Sequence, residues 1–209
     1  MSRVGGGTPG PSREPVAAVS TRAMGRGPHR LDGVQRILIS SCLAGRPVRY
    51  DGAAKPMAGG PFERWRAEGR LVPFCPEVSG GLPVPRPPAE IVGGDGGDVL
   101  DGTARILTGS GADVTGEFLR GARLALETAR RAGARLALLK EGSPSCGGHR
   151  VYDGTFTGTP VPGSGVTAAL LRRAGIRVFS EDELEELQAL LGDLESRTQE
   201  SRRRTGLKP

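Results

Sequence analysis

The 209-residue chain is poor in the residues that build large cores: hydrophobic types make up 36% and aromatics 4%, with one Trp, two Tyr and five Phe. No apolar run approaches the roughly 20 residues that cross a bilayer, so no membrane span is expected. No apolar h-region follows the first residues, which argues against a secretory signal and leads to the expectation of a cytoplasmic protein. Cysteine is scarce and odd in number, three in all. With no export signal, a disulfide framework is therefore not expected.

What is abundant is Gly, at 34, and Pro, at 17, together about twice the usual share. Basic residues also exceed acidic ones, 29 to 23, for a formal charge of +6. That balance invites a nucleic-acid reading, so its distribution matters. Residues 1–30 hold five Arg against Glu14, a net of +4. Residues 196–209 hold Arg197, Arg202, Arg203, Arg204 and Lys208 against Glu200, again +4, which leaves the body at −2. Both ends lack hydrophobic periodicity and bury too little surface to offset the entropy of ordering. The expected organisation is a disordered basic tail over 1–33, one α/β domain over 34–195 and a second disordered basic tail over 196–209. Nucleic acid is a possible partner for such tails but not a required one.

Within the body, the pattern alternates. VQRILIS (34–40), RLVPFCPE (70–77), ARLALLK (134–140) and IRVFS (176–180) read as strands. PFERWRAEG (61–69), VTGEFLRGARLALETARRAG (114–133), GVTAALLRRAG (165–175) and EDELEELQALLGDLE (181–195) carry helical spacing, with Thr115 and Ser180 as candidate caps. The stretch 78–98 is too rich in Pro and Gly to predict regular structure, and 100–111 suggests a short strand or hairpin. Its GGDGGD segment lacks the Lys-Ser/Thr partner of a phosphate loop and does not lead straight into a predicted helix. Strands alternating with helices imply a mainly parallel sheet covered on both faces, a Rossmann-like three-layer sandwich. Ligands in such sheets sit beyond the carboxyl ends of the strands.

Cys42, Cys75 and Cys146 each fall at or just past such an end, in ILISSC, LVPFC and LALLKEGSPSC. One edge of the sheet should therefore gather all three. Three thiolates suit a 4Fe–4S cluster with one iron free of protein ligands. Zinc is the rival, because Cys146-Gly-Gly-His149 has ligand-like spacing. The other two cysteines stand alone, however, without the paired spacing of zinc ribbons.

SSCLAGRPVRYDG, CPEVSGGLPVPRPPAE and SPSCG, joined by GGDG, KEG, GHRVYDGTFTG and GVTAALLRRAGIRVFS, resemble the thiouracil desulfidase family over about residues 36–182. Ala44 and Phe74 stand where other aliphatics would be at home, departures that leave the chemistry intact. The resemblance implies a Rossmann-like fold with a 4Fe–4S cluster on Cys42, Cys75 and Cys146. It implies a non-redox reaction in which a thiolated pyrimidine such as 2-thiouracil loses its sulfur as sulfide, through the cluster's open iron. It also implies a proton-handling glutamate, matching Glu77, and a serine, matching Ser143 or Ser145. The chemistry of the residues agrees, since a soft thiocarbonyl sulfur prefers iron of an Fe–S cluster to a hard cation, and a carboxylate two residues from a ligand is placed to move water's proton. Ser41, Arg49, Asp51, Arg86, Glu90 and Ser145, in loops flanking the cysteines, are expected to shape the site or orient substrate. Two other readings stay open: a thiolated nucleoside, nucleotide or RNA as substrate of a desulfidase or sulfur transferase, and a non-catalytic Fe–S or zinc sensor.

Overall fold

A computed structural model describes residues 34–205. Its first strand, β1 (Ile37–Ser40), leads through a turn to α1 (Gly60–Ala67), β2 (Leu71–Phe74) and the single turn α2 (Pro76–Ser79). Then come β3 (Ala89–Val92), α3 (Gly96–Asp101), β4 (Arg105–Thr108), α4 (Thr115–Ala132) and β5 (Leu136–Leu139). The hairpin β6 (Arg150–Tyr152) and β7 (Pro160–Pro162) precedes α5 (Val166–Arg173), β8 (Arg177–Ser180) and α6 (Leu184–Thr205).

The central sheet has the order β2-β1-β5-β8 and every pairing in it is parallel. Successive residues of β1 point to opposite faces, and both faces are covered. Ile37 and Ile39 pack with Phe62 and Trp65 of α1 and with Leu187 and Leu191 of α6. Leu38 packs on the other side with Ala125 and Ala129 of α4 and Ala168 and Leu171 of α5. Strands apolar on both sides are what a parallel sheet between helix layers requires. The α/β, mainly parallel architecture expected from the alternating pattern is the one present. A separate core of Ile91, Ile106, Val99, Phe118, Val151 and Val166 lies under the antiparallel pair β3–β4.

Several local expectations differ from the structure. Residues 78–98 hold part of α2, all of β3 and the start of α3. Pro76 is tolerated because it occupies the first helical turn, where its missing N–H costs nothing. GGDGGD does run into a helix: Asp95 caps α3, accepting from Gly97 N–H at 2.7 Å and Asp98 N–H at 3.3 Å, while Asp98 returns a bond to Asp95. Thr115 is not the cap of α4, which starts after Val114; its hydroxyl instead accepts the Ile106 N–H at 2.9 Å. Ser180 ends β8, and its hydroxyl accepts from Asp182 rather than from α6. The acidic helix also runs past 195 to Thr205, so residues 196–205 are helical and not the disordered tail expected from composition. The expected tail over 1–33 and the last four residues lie outside the described part. Among the described residues no helix is long and apolar enough to cross a membrane.

Candidate active site

The sheet places the site. The chain leaves β1, adds β2 on one side, then crosses back past β1 to add β5 on the other. That reversal opens a crevice at the carboxyl ends of β1 and β5. Cys42 lies two residues past β1, Cys75 directly follows β2, and Cys146 sits in the loop after β5. All three line one cavity of about 640 Å³. Cys42 and Cys146 are buried and Cys75 is half-buried; none is in a disulfide.

Burial pushes up the pKa of each thiol, and the neighbours add to it. The charge of Cys75 raises Cys42 further, against backbone hydrogen bonding and Arg49. Burial and Glu77 raise Cys75, against nearby N–H groups and Arg86. Burial drives Cys146 well above its ordinary value, with Glu77, Cys42 and Cys75 adding to it and the Ser40 hydroxyl opposing. The three thiols therefore feel one another, and their thiolate forms call for a cationic partner. A four-iron cluster takes thiolates on separate irons, and its usual protein ligands are cysteine sulfurs, the soft donors that line this cavity. The residues present fit the cluster.

Zinc on His149 loses its fourth ligand. The His149 imidazole pairs with Glu183 at 2.8 Å on the exposed side of its loop and does not line the cavity.

Next to the thiols runs a polar chain. Arg86 Nε and Nη2 donate to Glu77 Oε2 at 2.9 and 2.6 Å. The Ser143 hydroxyl donates to Glu77 Oε1 at 3.2 Å. Ser143 Oγ in turn accepts the N–H groups of Ser145 and Cys146, both at 3.1 Å. Arg86 is further fixed by the carbonyls of Pro83 and Val48, each at 3.1 Å. Glu77 is thus clamped between a guanidinium and a hydroxyl, within the same cavity as all three cysteines.

The structure separates the two serines. Ser145 is fully buried, and its hydroxyl bonds Thr167 of α5 at 2.9 Å, away from the cavity. Gly165 makes that approach possible, since a Cβ there would lie 2.4 Å from the Ser145 carbonyl. Ser145 is a packing residue, contrary to its expected substrate role. Asp51 does not line the cavity either. It accepts the Ala53 N–H at 3.0 Å and pairs loosely with Arg49, as a turn residue does. Ser41, Arg49, Arg86 and Glu90 do line it. Glu90 spends Oε2 on the N–H groups of Gly154 and Phe156, both at 3.0 Å.

Five residues here were not singled out from the sequence. Glu141, buried, accepts from the backbone N–H groups of Gly142, Gly148, His149 and Arg150, at 3.0 to 3.3 Å. It thereby holds the loop that carries Ser143 and Cys146. Gly147 closes that loop, because a Cβ would meet the Arg150 carbonyl at 2.6 Å. Ser40 accepts the Lys140 N–H at 3.0 Å beside Cys146. Tyr152 and Phe156 supply exposed rings. The Lys-Glu-Gly sequence after β5 was the available signal for Glu141, a carboxylate flanked by glycine loops with free N–H groups.

With the cysteine-lined cavity in place, the comparisons with known proteins decide the family. The model of 2-thiouracil desulfurase matches residues 37–183. The chain belongs to the 2-thiouracil desulfurase family. A Bacillus subtilis (strain 168) relative, YbbK, described as uncharacterized, is 50% identical over 151 residues, covering 72% of this chain and 99% of its own. A solved structure titled as the 4Fe–4S-dependent thiouracil desulfidase TudS is 52% identical, with a TM-score of 0.69. The match covers 76% of this chain and 98% of that one. Family membership extends over β1 to the start of α6 and stops short of both basic ends.

Proposed function

We infer that this chain removes sulfur from 2-thiouracil-like pyrimidines, giving the oxo base and sulfide without net redox change, with a 4Fe–4S cluster on Cys42, Cys75 and Cys146. The carrying observation is that three thiols from three strand ends line the same cavity as the Arg86–Glu77–Ser143 chain, in a member of this family. When bound, the cluster supplies a Lewis-acidic iron that takes the soft thiocarbonyl sulfur and draws electrons from the ring carbon.

The protein's own groups do the rest. Glu77 accepts the proton of the water that attacks that carbon and later returns it to the departing sulfur. Arg86 fixes the carboxylate through two charge-assisted contacts that converge on Oε2, which leaves Oε1 to Ser143. The Ser143 hydroxyl is held by two backbone N–H groups, which leaves its proton directed at Glu77 or at a ring carbonyl. Ser41 and Arg49 bound the space for the ring's polar edge. A cytoplasmic setting keeps such thiols reduced and ready for iron.

The test is anaerobic reconstitution of the full chain with iron and sulfide, followed by incubation with 2-thiouracil. Stoichiometric sulfide and uracil are expected. A colourless protein that takes zinc in place of iron would overturn the reading. Sulfide that appears only with thiolated RNA and not with the free base would shift the substrate to the polymer.

A further inference from the structure

The chain has only eight aromatic side chains, and five of them line the cavity: Tyr50, Phe74, Phe118, Tyr152 and Phe156. Three of these, Tyr50, Tyr152 and Phe156, are exposed at 43, 38 and 38%. The rings outside the cavity, Phe62, Trp65 and Phe179, are all buried. An aromatic-poor protein therefore shows its exposed rings at one place, the cavity it would use for a planar base.

Phe156 is the telling one. Among the described residues it is the one non-glycine residue with positive φ, at 61°. That conformation crowds a Cβ and is usually left to Gly, Asn or Asp. The neighbouring structure enforces it. The N–H groups of Gly154 and Phe156 both donate to Glu90 Oε2 at 3.0 Å, and Glu90 is buried on β3. The Phe156 ring lies over Gly109, where an added Cβ would meet the ring at 3.7 Å. A glycine at 156 would adopt this backbone without strain, so the backbone alone does not call for the phenyl ring. Strain of this kind persists where the surroundings over-determine it, typically at ligand sites.

We propose that Phe156 is a specificity-determining residue whose ring stacks on the heteroaromatic ring of the substrate, and that Glu90 is the positioning residue that holds Phe156 in place. The proposal rests on the thiolated-pyrimidine reading above and names what recognises the ring's face. The polar Glu77–Ser143 side reads the edge of a base; its π face needs an apolar plate, which a phenyl ring supplies. An acyclic thiocarbonyl such as thiourea offers the same sulfur but little face to stack on.

The experiment measures uracil binding to the reconstituted full chain by calorimetry, alongside turnover of 2-thiouracil and thiourea. Phe156→Gly removes the ring and relieves the backbone, so melting temperature should hold or rise. Uracil affinity should fall about five-fold or more, and the preference for 2-thiouracil over thiourea should fall by a similar factor. Glu90→Ala should raise KM for 2-thiouracil with kcat little changed. Glu90→Gln, whose amide oxygen still accepts both N–H groups, should restore it. Wild-type uracil affinity and ring preference in Phe156→Gly would overturn the proposal, as would a fall in melting temperature with binding intact. An intact protein that binds uracil in a Phe156-dependent way yet releases no sulfide would sink the proposed activity and leave the stack standing.

Discussion

The two covered faces of the sheet and its open carboxyl edge are built on opposite rules. On the faces, Ile37, Ile39, Phe62, Trp65, Leu136 and Leu138 are fully or almost fully buried and pack together as apolar groups. Even so, Trp65 Nε1 is a buried donor without a partner, the one such side-chain atom among the described residues. At the edge, by contrast, buried and half-buried carboxylates are satisfied: half-buried Glu77 by Arg86 and Ser143, buried Glu90 by two N–H groups and buried Glu141 by four. The faces supply stability through apolar area. The edge spends carboxylates on loop backbone so that glycine-rich segments hold a fixed cavity.

If that division is right, substitutions at the edge should remove chemistry and leave folding, and substitutions on the faces should do the reverse. Cys75→Ser should abolish cluster assembly and cut sulfide release by more than about 100-fold, beyond the usual loss of a group one shell out, while the protein still melts cooperatively. Glu77→Gln should cost about 10²–10⁴-fold in turnover, with iron content unchanged by metal analysis. Trp65→Ala should instead cost about 3–5 kcal/mol in urea unfolding, with turnover per folded molecule retained. The comparison breaks if Trp65→Ala and Glu77→Gln lose activity and stability in the same proportion.

The adjacent loop serines sharpen it further. Ser143→Ala should reduce turnover about tenfold through loss of a hydrogen bond to the charged Glu77. Ser145→Ala should leave turnover intact and lower stability by about 1 kcal/mol, the net worth of its bond to Thr167. Equal kinetic effects from both would contradict the geometry. Asp95→Ala should cost a similar amount, about 1 kcal/mol, from loss of the α3 cap. Burial alone would raise the Asp95 pKa, but the N–H groups of Ser164, Gly97 and Asp98 and the Ser164 hydroxyl hold it below the ordinary value. Its contribution is therefore full above the unfolded carboxyl pKa and is lost as pH falls through the lower folded value. Acid unfolding of Asp95→Ala should be correspondingly less steep than that of the parent.

Much of this division could be read before any coordinates. The alternation of strands and helices, with each cysteine just past a strand, places the thiols at one edge because parallel sheets keep their carboxyl ends together. Glu77, and a choice between Ser143 and Ser145, came from the resemblance of CPEV and SPSC to the family's motifs, with Glu77 two residues from Cys75. The segment 78–98 misled because glycine there serves a helix start and close packing: Gly96 opens α3 and lies against Gly165, where a Cβ would come within 2.3 Å. Ser145 and Asp51 were misassigned because proximity in sequence to a ligand does not fix the direction of a side chain; one turns to α5 and the other into its own turn. Glu141 and Phe156 went unread since their roles depend on backbone N–H groups and on φ, neither of which a one-letter pattern records.

The central claim is that three strand-end thiols hold a cluster that works with Glu77 on a thiocarbonyl. The most direct measurement is sulfide released from 2-thiouracil by the anaerobically reconstituted full chain, run beside its Cys75→Ser variant. The account predicts one sulfide per uracil formed by the parent and none above background from the variant. Equal sulfide from both, or none from a parent loaded with four irons, would contradict it.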